Sequence, residues 1–332
     1  MEAAEARMRL AAVLQRSAAA PVEVRGVEAL SGGASSLTYA VDASLGGAEW
    51  ALILQVSASE DDALRSMSRP VQAALQQRVR AAGVPVAEVV AVLTPQDGLG
   101  AGFVMAFVEG ETLAPKWLRD DTFARARAAM TGDTATALAR IHSLDVGALA
   151  DLGLPRLDAG EELDHLRQTY DTLGGGVPVF ELAFSVLSER MAAPGEVGLV
   201  HGDFRSGNFI VNAEGLAAVL DWELAHIGDP YLDIGWLSTN TWRFGLHASA
   251  VGGFGDREPF YAAYVAAGGA AIDRKRALAF EMFGSLRWGV MCMQMAAAHL
   301  AGEVRSVERA AIGRRVSETE ADILYMLKYG VL

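Results

Sequence analysis

The stretch that decides the fold is Leu199–Val211, LVHGDFRSGNFIV, together with AVLDWE at residues 218–223. In each stretch an apolar run of strand length stands next to polar residues, and the turn NAEG at residues 212–215 separates the two. The pattern predicts a small hairpin whose strand ends present polar side chains at a sheet edge. Groups held on such a scaffold can be positioned for chemistry.

Three oxygen-bearing side chains stand at the ends of these runs: Asp203, Asn208 and Asp221. Magnesium takes oxygen ligands and is commonly held by one or two carboxylates plus substrate phosphates. Two metal-binding oxygens and a separate carboxylate that deprotonates a hydroxyl form the minimum set for phosphoryl transfer. In a purely structural alternative, the Asp and Asn side chains only stabilise turns and helix caps, and His201 is a core histidine.

Outward from the hairpin, the chain divides into a sheet-rich part and a helical part. Five strand candidates precede residue 109: Val22–Leu30, Leu37–Val41, Trp50–Val56, Val86–Leu93 and Phe103–Val108. Among them lies one predicted helix, Pro70–Ala82, which ends at Gly83. Helices are predicted over Thr122–Ser143, Leu163–Leu173, Phe180–Met191 and most of the stretch after residue 233. We expect an α+β fold with two lobes: a small antiparallel β lobe (1–108) and a larger, mainly helical lobe (109–332).

Composition narrows the class of partner. The 332 residues carry a net charge of −13 without basic runs, which argues against nucleic-acid binding. The most apolar helical candidate, Trp288–Leu300, is too short and too interrupted to span a bilayer, so no membrane insertion is expected. The N-terminus lacks the apolar core of a signal peptide. A single cysteine fits a reducing compartment, and we expect a cytoplasmic protein.

The segment HGDFRSGNF followed by LDWE resembles the catalytic and metal motifs of the aminoglycoside-phosphotransferase and choline-kinase family, relatives of protein kinases. The resemblance implies a protein-kinase-like fold that uses ATP and Mg²⁺. It assigns Asp203 as the catalytic base, Asn208 and Asp221 as magnesium ligands, and His201 as a brace for the loop. Gly228-Asp229-Pro230 with Asp233 resembles the family segment that anchors the catalytic loop.

The first lobe supplies the expected nucleotide site. Leu30–Tyr39, LSGGASSLTY, resembles the nucleotide-covering loop of the family, and an ordinary hairpin turn is the alternative. The same resemblance places Val41 and Ile53 on the adenine ring and makes Met105–Val108 the hinge between the lobes. The cofactor-binding residues implied in this way are Gly32, Gly33, Ser35, Ser36, Val41, Ile53, Gln55, Met105, Ala106 and Val108.

Two positions depart from the family pattern. The family places a Lys or Arg on the third strand, paired with a Glu on the next helix, to hold the nucleotide phosphates. Here those positions are Gln55 and Gln72, which can hydrogen-bond but carry no charge. Two interpretations follow: other groups compensate and the enzyme works, or the chain is a pseudo-phosphotransferase that binds nucleotide or metabolite without efficient transfer.

The acceptor is predicted to be a small molecule with a hydroxyl group. The pattern DWELAHIGDPYLDIGW, with VEGETL and LRW elsewhere, resembles the branch that includes domains fused to acyl-CoA dehydrogenases. This resemblance implies an organic acceptor of lipid or acyl origin. No dense acidic cluster of the kind needed for polycationic antibiotics occurs in the last third of the chain. The Met- and Trp-rich stretch around Trp288 is either plain core or an apolar acceptor cleft.

Overall fold

The computed structural model describes residues 3–30, 36–57, 67–193 and 195–330. The sheet-rich part contains helix α1 (Ala3–Ser17), strands β1 (Val22–Ala29), β2 (Ser36–Leu45) and β3 (Ala48–Ser57), helix α2 (Arg69–Ala81), and strands β4 (Val89–Val92) and β5 (Gly102–Ala106). The rest contains α3 (Ala114–Trp117), α4 (Ala124–His142), α5 (Ala159–Thr172), α6 (Pro178–Arg190), β6 (Gly198–Val200), β7 (Phe209–Val211), β8 (Leu216–Val219), β9 (His226–Gly228), α7 (Tyr231–Ser238), α8 (Arg257–Ala266), α9 (Arg274–Leu300), α10 (Val307–Gly313) and α11 (Val316–Tyr329).

The first part is a five-stranded sheet in the order β1-β2-β3-β5-β4, and each neighbouring pair is antiparallel. Alternation along β3 sorts its side chains, because successive residues point to opposite faces. Leu52 and Leu54 are buried in one cluster with Leu14 of α1. On the opposite face, Ala73 of α2 packs against Phe103 of β5. A sheet with one helix on each face is the result.

Turn chemistry sets the element boundaries. The predicted strand Leu37–Val41 continues to Leu45, because Gly46 and Gly47 close a two-residue hairpin with φ values of 60° and 88°. Both angles lie in the left-handed region, which glycine adopts without steric cost. Helix α2 has its proline in the first turn and ends before Gly83, as the sequence indicates. The predicted α+β class, an antiparallel sheet followed by a larger helical part, is confirmed.

Helix α9, 27 residues long, runs through the helical part and packs against α7, α10 and α11. The predicted hairpin is present: β7 pairs antiparallel with β8, and β6 pairs with β9 on the other side of the loop. The Val219 N–H donates to the Pro85 carbonyl, which attaches the hairpin to the first part, and Glu111, just beyond that part, exchanges backbone hydrogen bonds with Val211. None of the described helices is both long and apolar enough to cross a membrane.

Candidate active site

The loop between β6 and β7 turns sharply at Gly202. Its φ is 84°, and a Cβ on this residue would lie 2.4 Å from the Leu224 carbonyl oxygen. Any larger residue would clash and would be strained, so only glycine fits. The turn lies between His201, which follows β6, and Asp203, which is the first side chain beyond the turn.

His201 is fully buried and uses both ring nitrogens on backbone groups. Nδ1 accepts from the Asp203 N–H at 3.1 Å, so in the neutral ring Nε2 carries the proton and donates to the Leu220 carbonyl at 3.0 Å. Burial lowers the pKa of His201 and outweighs the opposing charges of Asp233 and Asp203. The ring therefore stays neutral and joins the loop to the end of β8 as a positioning residue.

Asp233, at the start of α7, anchors the other side of the loop. Its carboxylate accepts from the N–H groups of His201 at 2.7 Å and Gly202 at 2.9 Å, and it contacts His142 Nε2 at 3.2 Å. Burial alone would raise the pKa of Asp233, but the hydrogen bond to His142 and the hydrogen bond from the His201 backbone N–H lower it overall. The loop is thus held by an ionised, fully buried carboxylate.

The Asp203 carboxylate is contacted by three N–H donors and is 9 % exposed. Trp236 Nε1 donates to Oδ1 at 2.7 Å, and Asn208 Nδ2 donates to Oδ2 at 2.6 Å. Arg205 Nε lies 2.9 and 3.1 Å from the two oxygens. Trp236 and Arg205 have no role in the sequence-based prediction. The signal for both is spacing, since Arg205 is two residues beyond Asp203 and Trp236 is one helical turn beyond Asp233.

Asp221 lies just beyond β8 in a strained conformation. Its φ is 63°, which is costly for a residue with a side chain and is common at functional sites. Burial raises the pKa of Asp221 to about 6, and the carboxylates of Glu223 and Asp203 contribute to the rise. Arg205 and Arg69 oppose it. Five charged groups therefore lie within electrostatic reach of one another at the ends of the hairpin.

Asn208 and Asp221 are the pair that fits a magnesium ion. The Leu220 N–H donates to the Asn208 carbonyl at 2.8 Å, which ties the two positions together. Asn208 uses its Nδ2 on Asp203, and this leaves Oδ1 for a ligand. In the described part of the chain, no group of three or more His, Cys, Asp or Glu side chains is arranged to hold a metal. One carboxylate and one amide oxygen suit Mg²⁺, which completes its shell with water and phosphate.

Of the two glutamines that stand where the family has an ion pair, Gln72 is buried on α2 and accepts from Arg69 Nη1 at 2.6 Å. Arg69, which is 1 % exposed, also lies 3.6 Å from Glu223 in the loop after β8. A buried cation at the start of α2 therefore faces the loop after β8. The sequence-based prediction does not include this arginine.

The register of the sheet corrects one nucleotide contact. Ala40 pairs with Ile53, whereas Val41 pairs with Leu52. Val41 is 2 % exposed and belongs to the cluster beneath α1, so it lies on the opposite face from Ile53. Val41 and Ile53 cannot both pack on one adenine ring, and the expectation for Val41 is wrong. Ala40 is the residue of β2 that lies directly opposite Ile53 on that face.

The other residues expected to bind the nucleotide lie on β2, β3 or β5, just beyond β5, or outside the described residues. Gln55 pairs with Phe103, and Ile53 pairs with Met105 on the same face of the sheet. The Ala106 N–H is already bonded to the Glu88 carbonyl at 2.8 Å, so this amide is not available to adenine. The Val108 N–H makes no backbone hydrogen bond within the described chain. Gly32, Gly33 and Ser35 lie outside the described residues, and Ser36 opens β2.

Solved structures share this architecture. A protein from Ralstonia eutropha JMP134 assigned as an aminoglycoside phosphotransferase superposes with a TM-score of 0.73 at 20 % identity, over 94 % of this chain and 95 % of that one. A choline/ethanolamine kinase family protein from Mesorhizobium loti gives a TM-score of 0.62 at 21 % identity, over 97 % and 94 %. The GDP complex of aminoglycoside 2'-phosphotransferase-IIIa gives 0.63 at 15 % identity, over 90 % and 94 %. At these identities the likeness establishes the fold.

Sequence comparison adds the family. Acyl-CoA dehydrogenase family member 10 of Mus musculus is 33 % identical over 108 residues, which are 29 % of this chain and 10 % of the mouse protein. The match thus spans about one tenth of the length of that relative. The model of the phosphotransferase enzyme family matches residues 26–278, about three quarters of the chain. The chain therefore belongs to the phosphotransferase enzyme family.

Proposed function

We propose that this protein moves a phosphoryl group from ATP, with Mg²⁺, to the hydroxyl of a small organic acceptor of lipid or acyl origin, with Asp203 as the base. Residues 1–108 bind the nucleotide, and residues 109–332 carry the catalytic groups and the acceptor. The observation that carries the proposal is the setting of the Asp203 carboxylate beside Asn208 and Asp221.

The hydrogen bonds of Asp203 leave room for a substrate. An ionised carboxylate offers about four acceptor positions. Three N–H hydrogens, from Trp236, Asn208 and Arg205, point at this one. One position remains for the proton of an acceptor hydroxyl. As the hydroxyl oxygen bonds to the γ-phosphorus and the bond to the ADP oxygen breaks, Asp203 accepts the hydroxyl proton.

Asn208 and Asp221 would hold Mg²⁺ against the phosphates. The bound ion supplies charge neutralisation for the phosphate oxygens during transfer. The raised pKa of Asp221, about 6, leaves the carboxyl ionised at neutral pH and ready to bind a cation. Without a bound cation, the ionised Asp221 carboxylate destabilises the folded state, since burial and two neighbouring carboxylates oppose its charge.

The charge missing at Gln55 is supplied from other elements. The Arg205 side chain is 23 % exposed, stacks over the Trp242 ring at 4.4 Å and contacts Asp203. It therefore places a fixed positive charge beside the reacting groups. Arg69 adds a second cation near Asp221. These two arginines favour an active enzyme over a pseudo-phosphotransferase, which the neutral Gln55 and Gln72 would otherwise favour.

The decisive experiment is Asp203→Ala, assayed for acceptor-dependent release of ADP across a panel of hydroxylated compounds. We expect the variant to lose transfer by about 10²-fold to 10⁴-fold, the usual contribution of a general base. It should keep its thermal stabilisation by ATP with Mg²⁺. Asp171→Ala is the matched control, because this surface carboxylate pairs with Arg167 within α5.

Full transfer by Asp203→Ala would refute the assigned mechanism. Stabilisation of the wild type by ATP and Mg²⁺ without turnover of any acceptor would favour the pseudo-phosphotransferase. The absence of stabilisation by ATP in large excess would contradict the proposed donor.

A further inference from the structure

A cavity of about 520 Å³ lies against the catalytic loop. Its walls are residues 67–71 at the start of α2, the segment 152–157, the loop residue Gly202, residues 223–226 beyond the metal site, and Arg287 of α9. The volume is typical of a small-molecule site. The cavity is therefore large enough for an acceptor and touches the loop that carries Asp203.

Most of the lining is apolar, from Met67, Val71, Leu152, Leu154, Leu157 and Leu224. Such a lining favours a ligand with a hydrocarbon portion, since burial of apolar surface is stabilising. Leu224 is 46 % exposed, so apolar surface remains there for a ligand to cover. The chemistry of the cavity then depends on its few charged groups.

Each of the two carboxylates in the cavity wall has a basic side chain beside it. The arginine in the wall, in contrast, pairs with no carboxylate of the described chain. Glu223 lies 3.6 Å from Arg69, and Glu162 lies 3.5 Å from His226. Arg287, which is half-buried, donates from Nη1 to the Gly202 carbonyl at 3.2 Å and forms no ion pair with any carboxylate of the described chain. A guanidinium has five N–H donors, so most of them remain for a ligand.

Arg287 is separated from the catalytic carboxylate by a single indole ring. The Arg287 guanidinium carbon lies 4.7 Å from the centre of the Trp236 ring, and Trp236 Nε1 donates to Asp203 at 2.7 Å. Asp203 is not itself part of the cavity wall, but the adjoining residue Gly202 is, and Arg287 donates to its carbonyl. A molecule that binds Arg287 therefore lies beside the turn that carries the base.

We propose that this cavity binds the phosphoryl acceptor, and that the acceptor is an apolar hydroxylated molecule whose oxyanion group pairs with Arg287. The inference rests on the proposed phosphotransfer and names its substrate class. Arginine matches this role because its planar fork pairs with carboxylate or phosphate oxygens. The hydroxyl then lies at Asp203, and the hydrocarbon portion fills the apolar walls.

The same arginines disfavour a cationic acceptor. Arg287 covers Trp236 and Arg205 covers Trp242, at 4.7 and 4.4 Å from the ring centres. These indole faces already carry cations and are not available to an ammonium group by cation–π contact. An ammonium ligand would also be repelled by both guanidinium groups.

The test measures binding without nucleotide, so it does not depend on phosphoryl transfer. The probes are 3-hydroxydecanoate, its uncharged methyl ester and monodecyl phosphate, titrated by calorimetry into the full chain. We expect the wild type to bind the acid about tenfold more tightly than the ester, as a charge-assisted contact provides. Arg287→Gln should abolish this preference, and Arg287→Lys should retain part of it. Arg140→Gln is the matched control, because Arg140 also donates to a glycine carbonyl, at Gly83, but outside the cavity.

Equal affinity for acid and ester in the wild type would overturn the proposal, as would an unchanged preference in Arg287→Gln. Binding of none of the probes at millimolar concentration would overturn it as well. Tighter binding of the decyl phosphate than of the acid, lost in Arg287→Gln, would support the site and identify phosphate as the anionic group. Thermal melting of each variant without ligand separates a lost contact from a lost fold. If binding follows the proposal and no acceptor is phosphorylated, the proposed transfer fails and the binding site stands.

Discussion

Two regions of the site differ in how much of the family's residue pattern they contain. One is the hairpin with its catalytic loop, and the other is the pair formed by β3 and α2. The loop keeps every oxygen side chain of the motif, with Asp203, Asn208 and Asp221 held close together. On β3 and α2 the charged pair of the family is replaced by Gln55 and Gln72. The oxygen side chains proposed to carry the chemistry are thus present, whereas the positive charge of the sheet is not.

Under the proposed function, the missing positive charge comes from elsewhere in the site. Arg205 contacts the catalytic carboxylate, and Arg69 contacts Glu223 beside the metal loop. A single Lys or Glu left unpaired in this partly buried region would be costly, so loss of both charges together is less disruptive than loss of one. Three experiments test this comparison, in order of decreasing expected effect.

Asp233→Ala should be the most damaging, because it removes the anchor of the catalytic loop. The variant leaves the buried N–H groups of His201 and Gly202 and the ring of His142 without their acceptor. Buried donors without partners cost about 1 to 3 kcal/mol each, and we expect a total loss of stability of about 3 kcal/mol or more. Urea unfolding followed by tryptophan fluorescence measures the change.

Asp145→Ala is the control, since the exposed Asp145 carboxylate accepts from only one backbone group, the Gly147 N–H. Its cost should stay within about 1 kcal/mol. If the two variants unfolded at the same urea concentration, Asp233 would not be the anchor.

Asp221→Asn should raise the free energy of unfolding in the absence of metal, whereas Asp233→Ala lowers it. Burial raises the pKa of Asp221 from 3.8 to about 6, so the folded state holds the proton more tightly than the unfolded state. Stability of the wild type therefore falls as pH rises from about 4 to 6 and stays lower above pH 6. Asn cannot ionise, and we expect the variant to be about 2 kcal/mol more stable at pH 8 without metal.

The gain should disappear at pH 4, where the wild-type carboxyl is neutral. Thermal unfolding in EDTA at pH 4, 6 and 8 measures it, and added Mg²⁺ with ATP should stabilise the wild type but not the variant. An Asn variant less stable than the wild type at pH 8 without metal would contradict the raised pKa of Asp221.

What the sequence predicts well is local. The β-then-helical order follows from periodicity and from glycine and proline positions, and the hairpin of residues 209–219 follows from two short runs around a turn. His201 stands inside the HGD motif and contacts the loop locally. Asp233 lies 32 residues beyond His201, and the resemblance of its GDPxxD segment to the family, rather than proximity along the chain, predicts its contact with the loop.

What the sequence misses depends on register and on distant contacts. The sequence-based expectation puts Val41 on the adenine face, whereas its side chain lies on the opposite face, since a shift of one residue along a strand reverses the side to which a side chain points. Arg69 and Arg287 act through neighbours far away in sequence, Glu223 and Gly202. No local pattern indicates such pairs, because they form only when helices pack against the loop.

Restoring the family's ion pair is expected to have the smallest effect. In Gln55→Lys/Gln72→Glu, the lysine lies on the face of β3 that carries Ile53, and the glutamate replaces the side chain that now accepts from Arg69. We expect KM for ATP to fall about threefold with little change in kcat, because one partly exposed charge contributes about 0.5 to 1 kcal/mol. Steady-state kinetics with saturating acceptor measures both constants.

Gln72→Glu alone is the matched control, because its carboxylate pairs with Arg69 on the same helix and adds no cation to the sheet. A fall in KM of tenfold or more in the double variant would mean that Arg205 and Arg69 do not compensate for the missing lysine, and the charge would then be absent rather than relocated. An unchanged KM would mean that position 55 does not reach the phosphates. Only the intermediate result agrees with a site whose positive charge has moved from the strand to the catalytic loop and the start of α2.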